Sequence, residues 1–397
     1  MPEVRQQTVN DSVLDLRGAH RQRRLVQCIF RRIRRRFLVR LHAQFLRLQL
    51  SLRAPIFHLL RQKAALASIA AAALVFSLQV SPARVGSAPA YRYIRIGNAK
   101  NIRGSTRAGY ALIGGGQDLD EAFTWLCERS GGGDFLILRA SGTDAYNPYI
   151  QSLCHENSIA TLIIPSRTAA NDPFVAQAIR AASAIFIAGG DQSNYINFWS
   201  GTAAQRALNA AIRSGVAIGG TSAGLAVLGE FVYSAQRDLP DGPNLNSHAA
   251  LANPFDPQVV IVRDFLHTPA LRGVITDTHF RARDRLGRLL VFMARILESG
   301  KRAKIHGIGV DQHTAFLLDP DGQGVVAGSG AAYFLEAIHK PTTCKPTQPL
   351  TFENVSVRKL VAGEKFNIRQ WTGDGASHAI SAISGVLRST QPSGAIY

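Results

Sequence analysis

The chain has 397 residues, 46% hydrophobic and 18% charged, which allows one large or two ordinary domains and excludes a disordered chain. Its formal charge of +18 points to nucleic acid only until that charge is located. Residues 1–63 hold 15 Lys and Arg against three acids, net +12, so residues 64–397 keep 30 bases and 24 acids, net +6. The basicity belongs to a leader, and nucleic-acid binding by the globular part is set aside.

From the N-terminus, the leader of residues 1–63 reads as a targeting segment with no fold of its own. Runs such as Arg31-Arg32-Ile33-Arg34-Arg35-Arg36 lack the acids of a solvated helix face. They lead into Ala64–Val80, seventeen residues without a charge, and then into Ser81-Pro82-Ala83 and Ala88-Pro89-Ala90, both cleavage candidates. A basic flank, an apolar stretch and a small-residue site describe an export signal, or an uncleaved anchor, over residues 64–90. The expected location is periplasmic or extracellular, with the membrane touched only through the apolar segment. A mis-assigned start would instead leave the protein in the cytoplasm.

From Tyr110 onward, apolar runs alternate with helical patterns. Strands are predicted at Tyr110–Ile113, Phe135–Arg139, Ala160–Ile164, Ala184–Ala188 and Val216–Ile218. Helices are predicted near Asp118–Arg129, Pro148–Asn157, Pro173–Ala182 and Ala203–Ser214. Short continuous apolar strands between amphipathic helices predict an α/β fold over residues 108–300, with a doubly wound parallel sheet. Ligands bind such sheets at the carboxyl ends of the strands. Beyond residue 300 come short strands: Ile308–Asp311, Thr314–Leu318, Gly324–Ala327, Ala331–Leu335, Ser356–Leu360 and Lys365–Trp371. This β-rich extension, residues 301–397, either lengthens the sheet or forms an appended β layer. Cys28, Cys127, Cys154 and Cys344 fit neither a zinc motif nor a disulfide framework. Cys127 and Cys154 are expected as buried free thiols in helices.

Gly114-Gly115-Gly116 follows the first of these strands without dinucleotide spacing, so a tight turn is expected there and no nucleotide site. Gly220-Thr221-Ser222-Ala223-Gly224 lies between an apolar strand and the helix begun by Leu225-Ala226-Val227-Leu228. That is the setting of a nucleophile elbow, where small neighbours let a serine stand exposed at the sheet edge. The bland alternative is a serine cap in a Gly-rich turn. A serine nucleophile needs a base, and the best-placed histidine is His279, at the end of the apolar run Val274-Ile275, 57 residues after Ser222. Arg281, Arg283, Arg285 and Arg288 follow it, a cluster suited to bidentate recognition of carboxylates. No His, Asp and Glu cluster has metal-ligand spacing, and no cofactor is implied.

Gly189-Gly190-Asp191-Gln192, Gly220–Gly224 and Asp277-Thr278-His279-Phe280 followed by Arg283 to Arg288 occur in this order. Together, over about residues 108–335, they resemble cyanophycinase and its peptidase E-like relatives. The resemblance implies a serine exopeptidase on a fold akin to class I glutamine amidotransferases (flavodoxin-like), cleaving β-aspartyl-arginine linkages in a peptide or cyanophycin-like substrate. It makes Ser222 the nucleophile, His279 the general base and the Gly190 and Ala223 amides the oxyanion hole. Gln192, Asp277, Thr278, Arg283, Arg285 and Arg288 become substrate-binding residues, with Asp277 available to a substrate guanidinium. A glutamine amidotransferase is disfavoured, because such enzymes carry Cys at the elbow.

Two departures stand out. Thr278 replaces a Gln of the family motif, and the acid expected between Ser222 and His279 to orient the histidine is missing. Asp238 and Asp241 are the first substitutes, then Asp256 and Asp264. An α-aspartyl dipeptidase and an anchored, non-catalytic binding protein are the competing readings, and a homodimer is left open.

Overall fold

The computed structural model describes residues 90–238 and 244–397, so the basic leader and the apolar segment fall outside the described residues. The first strands are β1 (Arg92–Gly97), β2 (Tyr110–Ile113), β3 (Asp134–Arg139), β4 (Ser158–Ile163), β5 (Ala184–Ile187), β6 (Ala217–Thr221), β7 (Phe231–Tyr233), β8 (Ile261–Arg263) and β9 (Val274–Asp277). There follow β10 (Ile305–Val310), β11 (Thr314–Leu318), β12 (Gln323–Gly328), β13 (Ala331–Ala337), β14 (Phe352–Val361), β15 (Lys365–Asn367), β16 (Thr372–Gly373), β17 (Ser377–Ile383) and β18 (Val386–Ser389).

These strands form two mixed sheets. The first runs β1-β4-β3-β5-β6-β2-β11-β12-β15-β16, with β4, β3, β5, β6 and β2 mutually parallel. Its parallel strands are buried on both faces, and their side chains alternate between two cores. Ala111, Ile113, Phe135, Ile137 and Phe186 face the helix Asp120–Ser130. Leu112, Leu136, Leu138, Ile185 and Ile187 face the opposite core, which includes residues of the helices Pro173–Ala181 and Ala203–Arg213. Burial on both faces is why these strands read as continuous apolar runs. One feature departs from a flavodoxin-like order, in which the first strand lies between the second and third. Here β2 lies beside β6, with Ile113 opposite Thr221, so the glycines after β2 adjoin Ser222.

The second sheet runs β18-β17-β14-β13-β10-β9-β7-β8, and only β7–β9 and β9–β10 are parallel pairs. The β-rich tail does both things expected of it: β11, β12, β15 and β16 lengthen the first sheet, while β13, β14, β17 and β18 build the second. Because β10 pairs with β9, the second sheet draws strands from both sides of residue 300. Phe334 of this sheet packs edge-on to Phe316 of the first, at 4.9 Å between ring centroids, inside a shared core. Its other face is covered by the helix Leu286–Glu298 through Leu289, Leu290, Phe292 and Met293.

Cys127 and Cys154 are not free thiols. They form a disulfide, with Cα atoms 6.2 Å apart, joining the helix Asp120–Ser130 to the residue after the helix Tyr146–Leu153. Both cysteines are buried on the same side of the first sheet, and that shared side is a tertiary fact. Cys344 is free and buried. Among the described residues, no helix is long and apolar enough to cross a membrane.

Candidate active site

β6 is wholly buried and stops at Thr221. Ser222 then takes φ 51° and ψ −116°, a conformation costly for a residue with a side chain, and a single helical turn, Ala223–Ala226, follows. The helix after the elbow is thus shorter than expected, because the chain must turn at once to enter β7. Tight packing explains the small neighbours: a Cβ on Gly224 would fall 2.0 Å from the Ile187 carbonyl oxygen. The result is a serine lifted from the carboxyl edge of the first sheet.

His279 arrives from the other sheet, two residues beyond the end of β9. Its backbone N–H donates to the Gly114 carbonyl at 2.8 Å, which ties it to the glycines after β2. Its Nε2 lies 2.7 Å from Ser222 Oγ. Burial, followed by the cations of Arg283 and Arg285, pushes the imidazole pKa down to about 4. The ring is therefore neutral near pH 7, the state that can accept a proton.

The group on the far side of the imidazole is neither acidic nor between the two dyad residues. Gln312 Nε2 lies 2.8 Å from His279 Nδ1. Asp238 is not brought to His279, because its carboxylate accepts the Tyr233 hydroxyl. Asp256 accepts from the Gln258 N–H and Asp264 pairs with Arg263, while Asp241 lies outside the described residues. The reason is topological. β9 and β10 are parallel neighbours, so what meets the far side of His279 comes from the end of β10, 33 residues after the histidine.

A cavity of about 400 Å³ opens beside Ser222, lined by Gly190, Gln192, Ala223, Thr278, Arg283 and Arg285, and also by Asp191, Tyr233, Asp238 and Arg288. Gly190 and Ala223 line the same cavity as Ser222. Asp277 departs from its expected place as a partner for substrate. It is 3% exposed, and its carboxylate takes Arg288 Nε at 2.7 Å and Nη2 at 2.5 Å. Arg288, 2% exposed, spends its remaining Nη1 on the Leu245 carbonyl. Arg285 Nη1 donates to the Thr278 carbonyl and hydroxyl at 2.9 and 3.1 Å and approaches Asp277 at 3.4 Å. Burial and neighbouring Arg288 bring the Arg285 pKa down to about 10, which leaves it charged near neutrality. Asp277 and Arg288 are the foundation; Arg285 and the exposed Arg283 present charge to the cavity.

Two site residues escaped the sequence reading, Gln312 and Gly115. The only available signal was that Ile308–Val310 heads for the same carboxyl edge as the run before His279.

Residues 115–254 match peptidase family S51. Among known proteins, the peptidase is 26% identical to the cyanophycinase of Trichormus variabilis over 231 residues, 56% of this chain and 70% of that protein. It is also 26% identical to the cyanophycinase of Synechococcus elongatus over 272 residues, 65% of this chain and 78% of the other. Among solved structures, a peptidase from an acI-B1 Actinobacterium aligns at 18% identity with a TM-score of 0.42, covering 67% of this chain and 98% of that one. The family and sequence matches support a serine peptidase related to the cyanophycinases.

Proposed function

We propose that this serine peptidase is an exopeptidase that hydrolyses β-aspartyl-arginine or related aspartyl linkages through a Ser222 acyl-enzyme. The observation that carries the reading is the 2.7 Å contact between Ser222 Oγ and His279 Nε2, at the edge of a cavity holding Arg283 and Arg285. Those guanidiniums suit the carboxylates of an aspartyl unit. Ser222 Oγ attacks the scissile carbonyl carbon while its proton passes to His279 Nε2. The oxygen that gains negative charge is held by the Gly190 and Ala223 N–H groups. His279 then gives the proton to the departing amine, the C–N bond breaks, and water repeats the sequence on the ester to free the acid. Gln192, which lines the cavity, would meet an amide of the substrate, and Thr278, tied to Arg285, shapes the position of that arginine.

Wild type and Ser222→Ala, each assayed on cyanophycin, β-Asp-Arg and α-Asp-Xaa dipeptides, test the reading. β-Asp-Arg cleavage by wild type alone is expected. Cleavage of the α-linked peptides only would make the chain an α-aspartyl dipeptidase, and equal activity of the two proteins would refute the mechanism. Export through residues 64–90 belongs to the same proposal, and the Cys127–Cys154 disulfide supports it, since structural disulfides persist in oxidising compartments. Fractionation of cells and sequencing of the mature N-terminus would decide it.

A further inference from the structure

We propose that Gln312 is the positioning residue of the Ser222–His279 pair, an uncharged group whose carboxamide orientation selects which imidazole nitrogen carries the proton. This rests on the serine-peptidase mechanism above and adds a condition to it.

A carboxamide has a donating end and an accepting end of almost the same shape. With the amino end of Gln312 on His279 Nδ1, as the 2.8 Å contact stands, Nδ1 is the acceptor and the imidazole proton sits on Nε2. Nε2–H then donates to Ser222 Oγ across 2.7 Å, and no lone pair remains there to receive the serine proton. That is a resting arrangement. A half-turn of the amide puts Oε1 on Nδ1–H, which frees the Nε2 lone pair and reverses the bond, so that Ser222 donates. The terminal torsion of Gln is broad, so the half-turn needs no movement of the backbone. Each orientation leaves a neutral ring and conserves its single proton.

Among the described residues, no carboxylate takes over this role. Asp277 is the nearest acid to influence the ring, and both its oxygens are held by Arg288 and Arg285. Asp311, beside Gln312 in sequence, accepts from the Arg281 and Ala331 N–H groups and the Tyr333 hydroxyl. Asp238 accepts from Tyr233. The other charges acting on His279 are the cations Arg283, Arg285 and Arg288. Gln312 can therefore choose the tautomer but offers the imidazolium that forms as Ser222 attacks only a neutral acceptor and no negative charge. A carboxylate in its place would do both, because it only accepts.

The test uses the rate of inactivation by a serine-reactive phosphonate as a function of pH, which reads the reactivity of Ser222 for any substrate. Gln312→Glu is expected to raise that rate at pH 7 by about tenfold or more and to move its acid limb upward by at least about one pH unit. Gln312→Leu is expected to lower the rate by about tenfold or more without changing saturation by the phosphonate. A residue that merely filled space would move neither the limb nor the sign of the rate change. Rates within about twofold of wild type for both variants, with an unmoved limb, overturn the proposal. Should Gln312→Glu fail to fold, ¹⁵N spectra of the wild-type imidazole decide: an Nε2–H population is expected, and Nδ1–H alone would overturn it. Activity surviving in Ser222→Ala or His279→Ala instead defeats the underlying mechanism, whatever the Gln312 variants do.

Discussion

Gly115 lies so close to His279 that a Cβ built on it would fall 2.5 Å from Cε1 and 2.6 Å from Nε2, and 3.1 Å from the Ser222 Cβ. The glycine that reads as part of a simple turn is a wall of the active site. Its φ of +95° adds a second reason for glycine. Gly115→Ala is expected to push the imidazole off Ser222 and cut kcat by about 10²-fold. Stability should fall by only about 1–3 kcal/mol. Steady-state kinetics beside urea unfolding check this, and a variant with wild-type kcat would show that the ring does not need the gap.

His279 sets the acid side of the pH profile. With its pKa held down to about 4 by burial and by Arg283 and Arg285, the base form is complete well below neutrality. kcat/KM should rise through about pH 4 and stay flat to pH 7. Arg283→Ala removes a cation that opposes the imidazolium, so the limb moves to higher pH. If Arg283 also holds a substrate carboxylate, KM rises by about tenfold while kcat holds. Arg283 is exposed, so its loss should change stability by no more than about 0.5 kcal/mol.

Asp277 and Arg288 should matter for folding before they matter for catalysis. Removing one partner leaves the other buried and unpaired, so Arg288→Ala is expected to cost about 3–5 kcal/mol. The Asp277 carboxyl is held below the ordinary carboxylate range, against its own burial, by Arg288 and Arg285. A depressed pKa contributes stability that is complete above the unfolded value, about pH 4, and is lost as pH falls through the folded value. Urea midpoints between pH 3 and 7 should show that loss in wild type and a flatter profile in Asp277→Asn.

The Cys127–Cys154 link closes a loop with a sequence separation of 27. Loop closure of that size is worth about 3 kcal/mol. A reductant should lower the thermal midpoint of wild type, and Cys127→Ala/Cys154→Ala should begin at the lower value and ignore the reductant. An unchanged midpoint in both would show the loop is held by its packing alone.

The elbow was legible because its signals are local: an apolar strand, small residues and a turn sit in one stretch of chain. His279 was legible for the same reason, at the end of the next apolar run. Gln312 was not, since nothing local says that β10 lies beside β9. Asp277 misled because an acid eight and eleven residues before two arginines reads alike whether it faces substrate or seals a buried pair. β1 went unseen because an edge strand with Arg92 and Arg95 has no continuous apolar run. Parallel pairing in the first sheet and an appended β layer were anticipated, but not the place of β2 beside β6, nor that the second layer takes β7, β8 and β9 from before residue 300, because those neighbours come from distant parts of the chain.

Ser222 and Gly115 follow strands of the first sheet, while His279 and Gln312 follow strands of the second. The 2.7 Å contact is therefore a caliper closed across two separate slabs. A slip of one slab against the other, too small to melt either, would open it. On slow warming, peptidase activity should accordingly fade several degrees before circular dichroism registers any loss of structure.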